Sequence, residues 1–143
     1  MTHINRSALV LHTQEQMFNI VNDVKAYPEF LPWCSSTQII DQGEQHLEAT
    51  LNLSKAGLKY SFTTRNKLHP HDRMEIQLVE GPFSKLVGVW TFEALSEEAC
   101  KVSLDMQFEF ANKLAGMAMG KVFNQVATTL VDAFVQRADA LYG

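Results

Sequence analysis

The sequence predicts an α+β domain in which a curved seven-stranded antiparallel sheet wraps one long C-terminal helix. Three observations carry this. Between residues 46 and 110, segment after segment alternates apolar and polar residues, the pattern of strands with one buried and one wet face. The breaks at Asp41-Gln-Gly-Glu44, Lys55-Ala-Gly57, His69-Pro-His-Asp72 and Ser96-Glu-Glu98 have hairpin length, so consecutive strands pair as a meander. From Asn112 the period changes to that of a helix and holds to Leu141.

The elements follow in order. Residues 2–11, rich in Ile, Val and Leu, read as a first strand. Thr13 is a good N-cap for a helix over Gln14–Asn22, where Met17, Phe18 and Val21, with Val24 just beyond, make an apolar face. Ala26–Leu31 reads as a short helical turn before Pro32, in a connector dense in aromatics. Six strands are then expected at 35–42, 46–54, 58–68, 73–80, 85–95 and 99–110. The third of these puts Tyr60, Phe62, Thr64, Asn66 and Leu68 on one face, and Lys59, Arg65 and Lys67 on the other. The last is the most regular: Cys100, Val102, Leu104, Met106, Phe108 and Phe110 alternate with Lys101, Ser103, Asp105, Gln107 and Glu109.

The final helix, about Asn112–Leu141, is capped by Asn112 and spans roughly 40–45 Å. Every strand has one apolar face and only one long helix is available to cover it, so the sheet must bend around that helix. The first half of the helix, Leu114-Ala-Gly-Met-Ala-Met-Gly120, is apolar nearly all round. Such a helix is buried or lines a cavity. Two readings stand: one wall of an apolar pocket, or plain core packing.

Composition narrows the function classes. The 143 residues make one domain, 1–143, with 46% hydrophobic and 20% charged residues, which is globular. With 12 Lys+Arg against 16 Asp+Glu, the net charge of -4 disfavours a generic nucleic-acid binder. Two cysteines, Cys34 and Cys100, make neither a disulfide framework nor a four-Cys zinc site. No signal peptide and no membrane span is expected, so the reading is a cytoplasmic protein whose contact with a membrane, if any, is transient and superficial.

Several stretches together have a family character: Arg6-Ser-Ala-Leu-Val10, Glu15-Gln-Met-Phe18, Val21-Asn-Asp-Val24 and, most specific, Tyr27-Pro-Glu-Phe-Leu-Pro-Trp-Cys34. Phe62-Thr-Thr-Arg-Asn66, Gly81-Pro-Phe83 with Trp90, Phe108-Glu-Phe110, and Lys113-Leu114 with Gly120-Lys-Val-Phe123 continue the series. On these the chain resembles the bacterial ribosome-association toxin family over nearly its whole length. That family is similar to the mitochondrial coenzyme Q-binding START-like proteins of the polyketide cyclase/START superfamily. The resemblance implies a helix-grip fold and a non-enzymatic role with a polyprenyl quinone (ubiquinone-like) or similar lipid as bound ligand. It also implies, for the bacterial branch, binding to the large ribosomal subunit and inhibition of subunit joining. A cyclase-type enzyme ranks third, because no acid–base pair converges on the expected pocket.

The expected pocket draws Phe30, Leu31 and Trp33 from the connector, and Tyr60, Phe62, Leu78, Leu86 and Trp90 from inward strand faces. The helix adds Met117, Ala118 and Val122. Ligand sites are mostly apolar with a few polar groups that orient the ligand. Thr64, Asn66 and the Tyr60 hydroxyl are the polar candidates for a quinone oxygen; pairing with backbone or water is the alternative. His69-Pro-His71-Asp72 lacks a third metal ligand and reads as a surface turn, so no metal is expected. Lys55, Lys59, Arg65, Lys67 and Arg73 fall within nineteen residues whose only acid is Asp72. Lys59, Arg65, Lys67 and Arg73 are thus the candidates for ribosomal phosphates, a solvated sheet face being the alternative.

Overall fold

Local sequence sets where the helices begin. Thr13 accepts a hydrogen bond from the Gln16 backbone N–H (3.1 Å) while the Gln16 side chain accepts one from the Thr13 N–H (2.9 Å). This reciprocal box satisfies two of the donors that a helix start leaves open. It opens α1 (Gln14–Asn22), which is followed by a 3₁₀ turn, Val24–Ala26, and by α2 (Tyr27–Phe30) with Pro28 in its first turn. Asn112 caps α3 (Lys113–Tyr142) by accepting from the Ala115 N–H at 2.8 Å.

The computed structural model describes residues 1–143. Its strands are β1 (Thr2–Val10), β2 (Cys34–Gln42), β3 (His46–Lys55), β4 (Leu58–His69), β5 (Arg73–Glu80), β6 (Phe83–Ala94) and β7 (Cys100–Phe110). They form one antiparallel sheet in the order β1-β7-β6-β5-β4-β3-β2. The six later strands are the expected meander. β1 closes the other side by pairing with β7, Ile4 opposite Met106 and Ala8 opposite Val102.

Boundaries differ from the sequence reading where bulges interrupt alternation. β6 starts at Phe83, two residues early, because a register shift between Phe83 and Lys85 leaves Ser84 and Lys85 both exposed and hides the pattern. β2 is bulged twice, between Cys34 and Ser36 and between Ile39 and Asp41. Bulges on an edge strand deter pairing with another chain.

α3 lies in the concave face of the sheet and rests chiefly on β1, β7 and α1. Its buried stripe is Phe123, Val126, Ala127, Val131, Phe134 and Ala138, which spaces as one helical face. Its last turns are tied down by His12–Asp139 (2.8 Å) and Arg137–Glu29 (3.1 Å). One expectation is corrected here. The start of α3 is not buried: Leu114 is 77% exposed and Met117 80%. A thirty-residue helix of about 45 Å outruns the strands beneath it, so its first turns reach past the sheet. Only Phe110, at the end of β7, meets Gly116 and Gly120 on their inner side.

Phe134 anchors the helix, packing on Trp90 (ring centroids 5.3 Å), Tyr27 (5.4 Å) and Phe30 (5.6 Å). Phe134→Ala removes all three ring pairs and leaves a void. Urea denaturation of this variant is expected to show a loss of about 3–5 kcal/mol.

Candidate functional site

α3 stands closest to the β1/β7 side, and a gap remains between it and the inner faces of β3–β6. The gap is an apolar cavity of about 70 Å³, with 16 of its 18 lining residues hydrophobic. Its floor is built by strand alternation, which turns Ala49 and Leu51 of β3, Phe62, Thr64 and Asn66 of β4, Met74 and Ile76 of β5, and Leu86 and Trp90 of β6 inward. Val24, Tyr27 and Trp33 close one side, and Phe123, Val126, Ala127, Leu130 and Phe134 of α3 form the roof. Aromatic packing lines one end. Phe123 meets Phe83 at 4.9 Å, Phe108 at 4.8 Å and Phe62 at 5.8 Å.

Six expected pocket residues come together here: Trp33, Phe62, Thr64, Asn66, Leu86 and Trp90. Seven lie elsewhere. Phe30 packs outside, between Phe134 and Arg137, whose guanidinium sits 4.8 Å above its ring. Leu31 is buried in the adjoining core. Tyr60, towards the Gly57 turn of β4, packs half-buried against the core outside the cavity lining, and its hydroxyl is buried with no hydrogen-bond partner. Leu78 lies beyond the last β5–β6 pair, Gln77–Val87, where the strands part. Met117 and Ala118 face solvent, and Val122 packs half-buried beside the core. The helical wall is thus one to three turns later than expected. The missed residues Phe123, Val126 and Phe134 carry a plain signal, since they form the apolar stripe of α3.

Two polar side chains enter this apolar space, Thr64 and Asn66, each 8% exposed. The Asn66 amide donates to the Met74 sulfur (Nδ2–Sδ 3.6 Å), a weak acceptor, and its Oδ1 has no partner. An unsatisfied buried carbonyl costs about 1–3 kcal/mol. The amide therefore has unused capacity both to donate and to accept.

Proton-transfer groups are sparse at the cavity. Tyr27 is its titratable lining residue, and its hydroxyl donates to the Val21 carbonyl while burial raises its pKa. Cys34, next to Trp33, is held as a thiol: burial pushes its pKa up to about 11, and the thiol donates to the Ser36 carbonyl. Burial also raises Cys100.

The outer sheet face corrects another expectation. The cations of β4 do not form an uncompensated stripe. Arg65 lies 3.3 Å from Glu48 and 3.7 Å from Asp41, Arg73 lies 3.3 Å from Asp72, and Lys67 faces Glu75 across the β4–β5 ladder. Glu75 is itself held below the usual carboxylate range by its hydrogen bond to His69 (2.7 Å). A polar groove of about 690 Å³ runs across this face, lined by both signs of charge: Arg65 and Lys67 with Glu75 and Asp105. Sequence neighbours hid this, because the acids arrive from β2, β3 and β5.

A long helix gripped by a curled antiparallel sheet over an apolar cavity is the START-like architecture. Residues 10–135 match the family model described as polyketide cyclase / dehydrase and lipid transport. The chain is 50% identical over 142 residues to the ribosome association toxin RatA of Pseudomonas aeruginosa, covering 99% of each. It is 26% identical to the mitochondrial coenzyme Q-binding protein coq10 of Schizosaccharomyces pombe, covering 92% of this chain and 84% of that one. A crystal structure of a Thermus thermophilus protein superposes with a TM-score of 0.83 at 15% identity, over 99% of this chain and 100% of the other. The chain belongs to the ribosome association toxin family, within the START-like polyketide cyclase group.

The unpaired Asn66 oxygen makes a signed prediction. Asn66→Leu keeps the volume and removes the unsatisfied group, so chemical denaturation is expected to show a gain of about 1 kcal/mol in stability.

Proposed function

We propose that the protein is a non-enzymatic binding protein whose cavity takes a polyprenyl quinone or a similar isoprenoid lipid, in support of respiration. The observation that carries this reading is Asn66: an amide with unused hydrogen-bonding capacity, kept beside Thr64 in a mostly apolar cavity that Trp33 and Trp90 also line. A quinone ring is a flat, apolar body with carbonyl oxygens at its ends. It stacks on aromatic side chains and accepts from an amide N–H. The lining supplies no carboxylate, imidazole, amine or thiolate, which supports binding rather than proton-transfer chemistry. The name of the coq10 relative supports the same ligand class.

The cavity's 70 Å³ is well below the roughly 300–1,000 Å³ of ordinary ligand sites. Binding therefore includes opening. α3 is anchored on the β1/β7 side and at its C-terminal turns, so it opens by separating from β3–β5. Trp33 and Trp90 report it directly. Titration with a long-chain ubiquinone is expected to quench their fluorescence saturably. Asn66→Leu, although more stable, is expected to bind about fivefold more weakly, the loss of roughly one hydrogen bond. Absence of quenching, together with no quinone in lipid extracted from protein purified from its native host, overturns the reading.

A second reading has its own support. Relatives at 44–50% identity over nearly the whole chain are named ribosome association toxins. We propose that this chain also associates with the large ribosomal subunit in the cytoplasm, through the outer face of β4 rather than through the cavity. Lys59, Arg65 and Lys67 are all exposed on that face, pointing away from the cavity. Conversion of all three to Gln is expected to weaken co-sedimentation with large subunits. The log–log salt dependence is expected to flatten by roughly 0.7–0.9 for each phosphate that the variant no longer neutralises. A triple variant that co-sediments like the parent at two salt concentrations removes this face from the interface.

A further inference from the structure

We infer that the first two turns of α3 are a docking surface for an anionic lipid bilayer. The observation is a change of character along one solvent-facing stripe of a single helix. Read from the start, the exposed positions at helical spacing are Leu114, Met117, Ala118 and Lys121, then Gln125, Thr129, Asp132 and Gln136. The later part is an ordinary wet face. The earlier part presents two long apolar side chains, 77% and 80% exposed, that no element of the fold covers. Nothing in the packing of α3 requires them, because the inner side of these turns is the one that meets Phe110.

Charge selects the partner. Between Ala111 and Val131 the chain has two cations, Lys113 and Lys121, and no acid, although its net charge is -4. Both lysines are exposed. Lys121 is seven residues on from Leu114, on the same stripe, where its stem can lie along apolar surface while the ammonium reaches headgroups. Beside them an open groove of about 690 Å³ runs past Met1, Phe110, Lys113, Gly116 and Met117, with Glu109 at its border. Met1 adds a third exposed apolar side chain, 66% exposed.

The size of the patch argues against a folded protein partner. Such interfaces bury about 800 Å² on each side, more than a few side chains offer. A second copy would set the lysines of one patch against those of the other. A bilayer asks for less: a few apolar side chains at the headgroup boundary and cations facing anionic lipid. Position fits as well. Phe110 beneath these turns stacks on Phe83 (4.8 Å), which meets Phe62 and Phe123 of the cavity wall (5.9 and 4.9 Å). The surface thus lies beside the end of the cavity that Phe62, Phe83 and Phe123 form. The inference goes beyond the quinone reading and does not depend on it.

The test uses the full chain and quinone-free extruded vesicles, either phosphatidylcholine alone or a mixture with phosphatidylglycerol, read by flotation. The protein is expected to float with the anionic vesicles, and less so as salt rises. Leu114→Gln with Met117→Gln is expected to lower partitioning by about tenfold or more, because less apolar surface is buried in the bilayer. Lys113→Gln with Lys121→Gln is expected to lower it by about fivefold per lysine on anionic vesicles only. All four side chains are exposed, so circular dichroism and thermal midpoints are expected to match the parent. A parent that stays soluble with both vesicles, or variants that float as well as the parent, overturns the inference. So does concentration-dependent dimerisation in sedimentation velocity that the Leu114/Met117 variant abolishes, without vesicle binding.

Discussion

One helix about 10 Å across must cover the apolar face of seven strands, which spread over roughly 29 Å at 4.8 Å spacing. No flat arrangement satisfies this. The sheet curls until its concave face meets the helix from several sides, and the residual width is filled by the largest side chains available. That is why Trp90, Phe134, Tyr27, Phe62, Phe83, Phe108 and Phe123 converge on the seam between helix and sheet. Aromatic rings meeting edge to face fill volume and fix their mutual angles. The same constraint leaves a remainder. α3 seats on β1 and β7, the strands beside it, and the far wall of the curl at β3–β5 is bridged only by side chains. The cavity is the part of that gap which they do not fill.

A cavity of this kind works against stability, and Asn66 adds to the cost. Protein interiors pack close to the density of organic crystals, and buried polar groups are nearly always paired. Here a void and an unpaired amide oxygen occur at one place, in a core that is mostly apolar. Local departures from good packing concentrate where a protein binds something. The group is inward because β4 alternates with period two, and it is isolated because its ladder neighbours on the same face, Leu47 and Ile76, are apolar. Water can donate to its oxygen, which no protein group does, and a ligand carbonyl can accept from its N–H. The cavity lining contains no carboxylate, imidazole, amine or thiol.

The outside of the molecule is organised by the same geometry. Strand alternation that drives aromatics inward puts Lys59, Arg65 and Lys67 outward, and neighbouring strands then bring Asp41, Glu48 and Glu75 alongside two of them. The face is polar and mixed rather than cationic, which suits solubility and leaves less free positive charge for phosphate than a one-dimensional count implies. At the other extreme of the fold, the helix outgrows the sheet, and its apolar first turns emerge where burial cannot reach them.

Much of this was legible in the residues. Alternation, hairpin-length breaks and the 3.6 period placed every strand and helix to within about two residues, because burial on one face imposes a period that survives in sequence. Thr13 and Asn112 announced their helices because capping is a local hydrogen bond. Six of the cavity residues followed from strand alternation and the aromatic connector. The helical wall did not. An apolar run such as 114–120 reads as buried whether or not a sheet lies beneath it, and only the lengths of α3 and β7 in space decide that Leu114 and Met117 emerge. The pairing of Arg65 with Asp41 and Glu48 was equally invisible, since those partners lie 17 or more residues away along the chain. Sequence by itself determined the elements, their order and their inward faces, which depend on near neighbours. Tertiary structure decided where the helix seats, how much space it leaves and which charges meet, because those depend on distances that the curl of the sheet sets.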